Sequence, residues 1–264
     1  MQAVTLENMD VQIGRKRILH QIDFTINKGQ FFGLIGPNGS GKSTLLKTIA
    51  NIQTHRNGHI LLHEKQQHTF TPKQLAKMIS YVPQETDVGF DFLVRDVIQM
   101  GRHVYGTLFK SETKKDEEMI EWAMEQTDTT ALQNESIRHL SGGQRQLVMI
   151  AKALAQDTPI LLLDEPISAL DVHYQLKILT MLQKLSKQGK TIVIVLHDLN
   201  LAARFCRTLL LLNEGKVQKI GTPEEVLTAP LLKNIYHIVA RIRKDEGMNR
   251  VTVTPYIEEI ESNV

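Results

Sequence analysis

The loop Gly36-Pro37-Asn38-Gly39-Ser40-Gly41-Lys42-Ser43 follows the short apolar run Phe31-Phe32-Gly33-Leu34-Ile35 and precedes a helical stretch from Lys42 to Ala50. A buried strand that turns at once into a helix through three glycines leaves few folds open. The apolar run fits a strand covered on both faces, which points to a parallel sheet. Gly36, Gly39 and Gly41 let the backbone curl so that its N–H groups converge on one point, where phosphate oxygens fit. The helix that follows adds the positive end of its dipole. In such a loop Lys42 would reach the β- and γ-phosphates of a nucleotide and Ser43 would ligate Mg²⁺, with Thr44 beside it in the phosphate set.

Two further motifs follow in a set order. Leu140-Ser141-Gly142-Gly143-Gln144 opens a helix whose apolar face is Leu147, Ile150, Ala151 and Leu154. That face is core, whereas Ser141, Gly142, Gly143 and Gln144 bring small residues and a helix N-terminus to an anion. Ile160-Leu161-Leu162-Leu163 then runs into Asp164-Glu165. Carboxylates at the C-terminal end of a buried strand face the ligand crevice of an α/β sheet. Asp164 would hold Mg²⁺ through water, and Glu165 would orient and deprotonate the attacking water.

The rest of the chain supports an α/β core. Residues 2–26 alternate apolar and polar, as in Arg17 to Phe24, and read as short strands. Thr71-Pro72 reads as an N-cap with proline in the first turn, opening a helix to about Lys77. Ile79 to Val82 is a short strand ending at Pro83. Residues 93–135 lack strand signals and carry the charged stretch Lys114 to Glu118, as a helical subdomain with one solvated face would. Strand–helix alternation then returns: Ile160–Leu163, Val172–Lys187, Thr191–Leu196, Leu199–Cys206 and Thr208–Leu212, with a turn at Asn213 to Lys216. Past residue 222 come two short helices, a hairpin with strands Val239–Arg243 and Arg250–Thr254 around Gly247, and an acidic end expected to fray.

Composition removes several function classes. The net charge of +2 gives no sign of a nucleic-acid partner. The single cysteine, Cys206, excludes a disulfide framework, suits a reducing compartment and reads as a small buried apolar residue. No apolar run reaches the ~18 residues that span a bilayer, so another chain would have to supply any membrane path. The N-terminal residues lack a basic region followed by an apolar core, so no secretory leader is expected. His55, His59, His63 and His68 straddle a turn and strand in a polar segment, without close metal-ligand spacing.

On these motifs the chain resembles the ATP-binding subunits of ATP-binding-cassette (ABC) transporters over about residues 2–240. The resemblance implies a P-loop NTPase (RecA-like) core with an antiparallel β subdomain and a helical signature subdomain at about residues 88–157. The ABC domain would span residues 1–221, with a C-terminal extension at 222–264. It implies ATP and Mg²⁺, and a second copy of the chain arranged head to tail. ATP would lie between Lys42 and Ser43 of one copy and Ser141 and Gly143 of the other. Gln84 would sense the γ-phosphate and Mg²⁺, His197 would hold the γ-phosphate, and Asp171, in Ser168-Ala169-Leu170-Asp171, would touch the opposite copy. Integral-membrane permease subunits at the cytoplasmic face of the cell membrane, and a substrate-binding protein acting indirectly, complete the implied machine.

Val94 to Arg102, Leu170 to Leu176 and His197 to Arg204 resemble the subgroup importing iron–siderophore, haem or cobalamin complexes. A manganese or zinc importer, or a soluble ABC ATPase of iron–sulfur assembly, are the rival readings. Two residues depart from the family pattern. Ile13 stands where many relatives stack an aromatic ring on adenine, which predicts weak base binding. Ile167 stands where relatives often carry threonine.

Overall fold

The computed structural model describes residues 1–84, 91–106, 113–245 and 250–256. The chain opens with two long antiparallel strands, β1 (Gln2–Ile13) and β2 (Lys16–Asn27), followed by β3 (Phe31–Ile35) and helix α1 (Lys42–Ile49). β4 (Asn57–Leu62) and β5 (Lys65–Gln66) return to β1, so that β2, β1, β4 and β5 form a four-stranded antiparallel sheet. Asp10 ties it together: its carboxylate accepts from Arg17, from the Gln21 amide at 2.8 Å and from Asn57 Nδ2 at 3.2 Å.

Helix α2 (Pro72–Met78) starts as the sequence predicts. The Thr71 hydroxyl accepts from the Gln74 amide at 3.3 Å, and the Gln74 side chain accepts from the Thr71 amide at 2.8 Å. β6 (Ile79–Val82) then leads to the helical subdomain of α3 (Val94–Gln99), α4 (Lys114–Thr127) and α5 (Gly142–Ala155). Lys114, Lys115 and Glu118 are exposed while Ile120, Ala123 and Met124 are buried, so α4 has the solvated face expected of it. The buried Arg102 fastens this layer, donating from Nε to Asp116 at 2.8 Å and from Nη1 to the Ala155 carbonyl at 2.7 Å.

Strand β7 (Ile160–Leu163), helix α6 (Val172–Lys187), β8 (Thr191–Val195), α7 (Leu199–Phe205) and β9 (Thr208–Asn213) complete the alternation. β10 (Lys216–Gly221) has no alternating apolar pattern, so the sequence predicts no element there. It pairs antiparallel to β9 at the edge of the sheet, where backbone hydrogen bonds suffice and little side-chain burial is needed. The sheet order is β10-β9-β3-β8-β7-β6, with every pairing but the first parallel.

Side chains alternate between two cores across this sheet. Phe31, Leu161, Ile192 and Leu209 face the core shared with α5, α6 and α7. Phe32, Leu162, Val193 and Leu210 face the core shared with α1 and the antiparallel sheet. Cys206 is fully buried, as its composition-based reading expects.

The tail forms α8 (Pro223–Val226), α9 (Ala229–Tyr236) and a hairpin of β11 (Val239–Asp245) and β12 (Arg250–Tyr256). Its apolar residues Val226, Leu232, Ile235, Val251 and Val253 join the core of α5 to α7. Asn200 on α7 grips β12, donating to the Val253 carbonyl at 3.1 Å and accepting from its amide at 2.8 Å. The hairpin turn at Gly247, the acidic end and residues 88–90 and 107–112 of the helical subdomain lie outside the described residues.

Candidate functional site

Four loops leave the C-terminal ends of the parallel strands and meet at one edge of the sheet, where an α/β fold places its ligands. The glycine loop follows β3, Gln84 follows β6, Asp164 and Glu165 follow β7, and His197 follows β8. They enclose a cleft of about 480 Å³ lined by Asn38, Gly39, Gly41, Lys42, Ser43 and Thr44, with Gln84, Glu165, His197 and Ile18 opposite.

The glycine loop has the backbone its sequence predicts. Gly36, Gly39 and Gly41 have φ of 150°, 77° and 103°. At Gly36 no side chain fits, because an added Cβ would lie 2.0 Å from the Leu212 carbonyl oxygen. Asn38 and Gly39 are exposed at the tip, Pro37 is half-buried, and Ser40 is buried at the base. Lys42 Nζ donates to the carbonyls of Gly36 at 2.9 Å and Pro37 at 2.8 Å, so the loop curls around its own lysine. Burial pulls the Lys42 pKa down, against the pull of Glu165 and Asp164. The tail comes near this loop as well: burial raises the phenol pKa of Tyr236, the last residue of α9, and the nearby Gly36 amide opposes that rise.

Asp164 is almost fully buried, and each of its oxygens is held. Ser43 Oγ donates to Oδ1 at 3.0 Å, and the Tyr81 hydroxyl donates to Oδ2 at 3.2 Å. Burial raises the Asp164 pKa, and the Ser43 and Tyr81 hydrogen bonds oppose that rise. Burial likewise pushes the Tyr81 phenol far above its usual range, so it stays a donor. Glu165 takes a left-handed backbone, φ 51°, which turns its side chain into the cleft. Gln84 Nε2 donates to one Glu165 oxygen at 2.8 Å, and His197 Nε2 lies 2.5 Å from the other.

Ser43 bonds Asp164 directly, and Gln84 lines the same cleft as Ser43, so a hydroxyl, a carboxylate and an amide are at or just behind its wall. Those are hard oxygen donors, few in number, which is the set a Mg²⁺ that keeps several waters requires.

The signature residues lie elsewhere. Ser141 caps α5, accepting from the Gln144 amide at 3.2 Å, while the Gln144 side chain accepts from the Ser141 amide at 2.9 Å. Gly142 stands open, but a Cβ on Gly143 would come within 3.0 Å of the Ala169 carbonyl, so Gly143 is small for packing as well as for access. Ser141, Gly143 and Gln144 share a separate cleft of about 530 Å³ with Asp171, whose carboxylate accepts from the Tyr174 amide at 3.0 Å. The two clefts have no lining residue in common. One chain therefore gathers Lys42, Ser43, Thr44, Gln84, Asp164, Glu165 and His197, and holds Ser141, Gly142, Gly143, Gln144 and Asp171 apart from them.

Three residues at or behind the cleft escaped the sequence reading: Tyr81, Ile18 and Tyr236. None stands in a motif, and each reaches the site from another element. Ile13, expected beside the base, is about half exposed at the end of β1, and the cleft wall from that hairpin is Ile18. Ile167 is buried in the core. Several residues in the stretches that suggested a subgroup act as staples. Gln175 donates to the carbonyls of Ile167 and Leu170 at 3.2 and 3.0 Å, bracing the turn after Glu165. Arg95 pairs with Glu117, Arg102 with Asp116, and Asn200 with β12.

A sheet edge that collects a phosphate loop, a buried aspartate, an adjoining glutamate and a histidine defines a nucleotide hydrolase, and the capped Ser141 loop narrows it further. The chain belongs to the ABC transporter family, which matches residues 19–168. It is an ATP-binding cassette that hydrolyses ATP. It is 39% identical over 257 residues to the iron(3+)-hydroxamate import ATP-binding protein FhuC of Bacillus subtilis (strain 168), covering 97% of this chain and 96% of the relative. Among solved structures it resembles an inward-facing ABC transporter assigned to the metal-chelate type, with a TM-score of 0.82, 29% identity, and coverage of 97% of this chain and 98% of that one. A dimeric, post-hydrolysis structure of the ATP-binding cassette MJ0796 with ADP and Pi has a TM-score of 0.75, 27% identity, and coverage of 83% and 98%. Among the described residues no helix is long and apolar enough to cross a membrane.

Proposed function

We propose that the chain is the ATPase of an importer for ferric siderophore chelates. It would work as a head-to-tail pair bound to integral-membrane permease subunits at the cytoplasmic face of the membrane, with a substrate-binding protein delivering cargo to the permease. One observation carries the reading of a pair: the phosphate loop and the signature loop sit in separate clefts, each half of a nucleotide site. The cargo rests on the near full-length likeness to an iron–hydroxamate import subunit and to a metal-chelate type transporter. Residues 1–221 form the ATP-binding domain in this reading. The tail after 222 is an extension packed on it rather than a domain of its own, since its apolar residues enter the same core.

The loop amides of Gly36 to Ser43 and the Lys42 ammonium bind the ATP phosphates. Ser43 and Asp164 would hold Mg²⁺, with Gln84 near them, and the cation would there supply neutralisation of phosphate charge. Glu165 orients water and accepts its proton. His197 holds the γ-phosphate. Gln84 and His197 both contact Glu165 and orient its carboxylate from either side. Ser141, Gly142, Gly143 and Gln144 of the second copy close over the γ-phosphate with a helix N-terminus, and Asp171 bears on the opposite copy. Closing and reopening the pair drives the permease.

The test is uptake of radioactive iron offered as ferric hydroxamate, ferric catecholate and haem, in cells whose only copy is wild type or Glu165→Gln. Loss of uptake of one siderophore class in the variant supports the proposal and names the cargo. Unchanged uptake of both siderophores overturns it, in favour of haem, cobalamin, a bare metal ion or soluble iron–sulfur assembly. Co-purification with a membrane permease separates the transport readings from the soluble one.

A further inference from the structure

We propose that Tyr81 is a positioning residue for the divalent cation: it sets the rotation of the Asp164 carboxylate and so tunes cation affinity without touching cation or nucleotide. The inference rests on the reading of Asp164 as the residue that holds Mg²⁺.

β6 and β7 run parallel, with Tyr81 opposite Leu162 and Val82 opposite Leu163. The ladder continues one residue past β7, because the Asp164 amide donates to the Val82 carbonyl at 2.9 Å. The Asp164 backbone is thus anchored to β6. Tyr81 and Val82 face opposite sides of the sheet; Tyr81 packs with the core of α1, and Val82 with the core of α5 to α7. α1 begins at Lys42 and carries Ser43, so the phenol on that side ends beside the same carboxylate that Ser43 grips. Ser43 takes Oδ1 and Tyr81 takes Oδ2.

The terminal torsion of an aspartate is broad and soft. With one oxygen held, the group can still swing; with both held by donors on two different elements, it is locked. Ser43 Oγ is itself a cation ligand in the proposed site, so its hydrogen bond to Asp164 rearranges when Mg²⁺ binds. Tyr81 holds the other oxygen from behind, since neither it nor Asp164 lines the cleft that Ser43 lines, and nothing entering the cleft needs to displace that bond. The phenol is therefore the contact that carries the carboxylate orientation from the free to the loaded state. Partners that orient a metal-holding side chain change metal affinity when removed.

The experiment compares nucleotide affinity in EDTA with affinity at saturating Mg²⁺, by calorimetric titration of ADP into the full-length chain. The ratio of the two is the Mg²⁺-linked gain. Tyr81→Phe keeps the buried ring and removes only the hydroxyl. The expected result is a gain reduced roughly tenfold, with affinity in EDTA unchanged. Combined with Asp164→Asn, Tyr81→Phe should add no further loss, because it acts through that carboxylate. A purely structural role would instead lower both affinities together. A wild-type gain in Tyr81→Phe, or a double variant that loses the product of the two single effects, overturns the inference while Asp164→Asn still loses its gain. A full gain in Asp164→Asn removes the reading of Asp164, and this inference with it.

Discussion

Replacing Glu165 by glutamine changes one property of the site and leaves its shape. Glutamine is isosteric, and its amide oxygen still accepts from Gln84 Nε2, now 2.8 Å away. Its amide nitrogen takes the place of the oxygen that lies 2.5 Å from His197 Nε2. In the proposed site the phosphate contacts come from elsewhere, from the loop between β3 and α1 and from Lys42. ATP affinity should therefore stay within about threefold, since no charge-assisted contact to phosphate is lost. The lost property is basicity. A positioned general base contributes about 10²–10⁴-fold, which is ~2.7–5.4 kcal/mol of barrier. The assay pairs phosphate release at saturating ATP with nucleotide binding on the same preparation. The expected variant binds as wild type and turns over at least a hundredfold more slowly, about the lower end of that range. Because His197 touches the same carboxylate, Glu165→Gln combined with His197→Ala should lose less than the product of the single losses. Hydrolysis within a few-fold of wild type would remove Glu165 as the base. Normal chemistry with weak binding would make it a phosphate or cation contact instead.

Other outcomes follow from particular contacts. Ile13→Tyr should lower the Michaelis constant for ATP by about 5- to 150-fold, as base–aromatic stacking of ~1–3 kcal/mol implies, and an unchanged constant refutes the assignment of that position. Asn200→Ala leaves both Val253 backbone groups without their side-chain partner, so urea unfolding should show a loss of ~1–3 kcal/mol; full stability would mean the hairpin is held without it. Asp10 has its pKa lowered from 3.8 to about 2, chiefly by the Arg17 hydrogen bond. Since the folded value lies below the unfolded one, this carboxylate stabilises the fold above about pH 3.8 and loses that contribution as pH falls through about 2. Asp10→Asn should therefore flatten thermal stability across that window, and an unaltered acid slope would place the sensitivity elsewhere.

The strands and helices were legible wherever a strong local signal stood. Phe31–Ile35 reads as a buried strand and is one, with every residue buried. Thr71-Pro72 announces its helix, and Val172 to Lys187 keeps helical spacing for its whole length. The proposed nucleotide residues stand out in the sequence for a related reason: a loop that wraps phosphate needs glycines and a lysine at set offsets, and such spacing survives in one dimension. Lys216–Gly221 went unassigned because an edge strand leaning on one neighbour needs no apolar alternation.

The sequence alone determined the chemistry that each loop can offer: the phosphate loop, the acidic strand end, the capped signature helix and the order in which they occur. It could do so because each is a local backbone geometry dictated by neighbouring residue types. Only the tertiary structure decided which of them meet. Parallel pairing of β3, β8, β7 and β6 brings Lys42, His197, Glu165 and Gln84 to one sheet edge from positions far apart in the chain. The same packing carries the Ser141 loop away on the helical subdomain. It also sets Tyr81 against Asp164 and Tyr236 against Gly36, because side-chain contacts across strands and layers follow from register and packing, which no local pattern encodes.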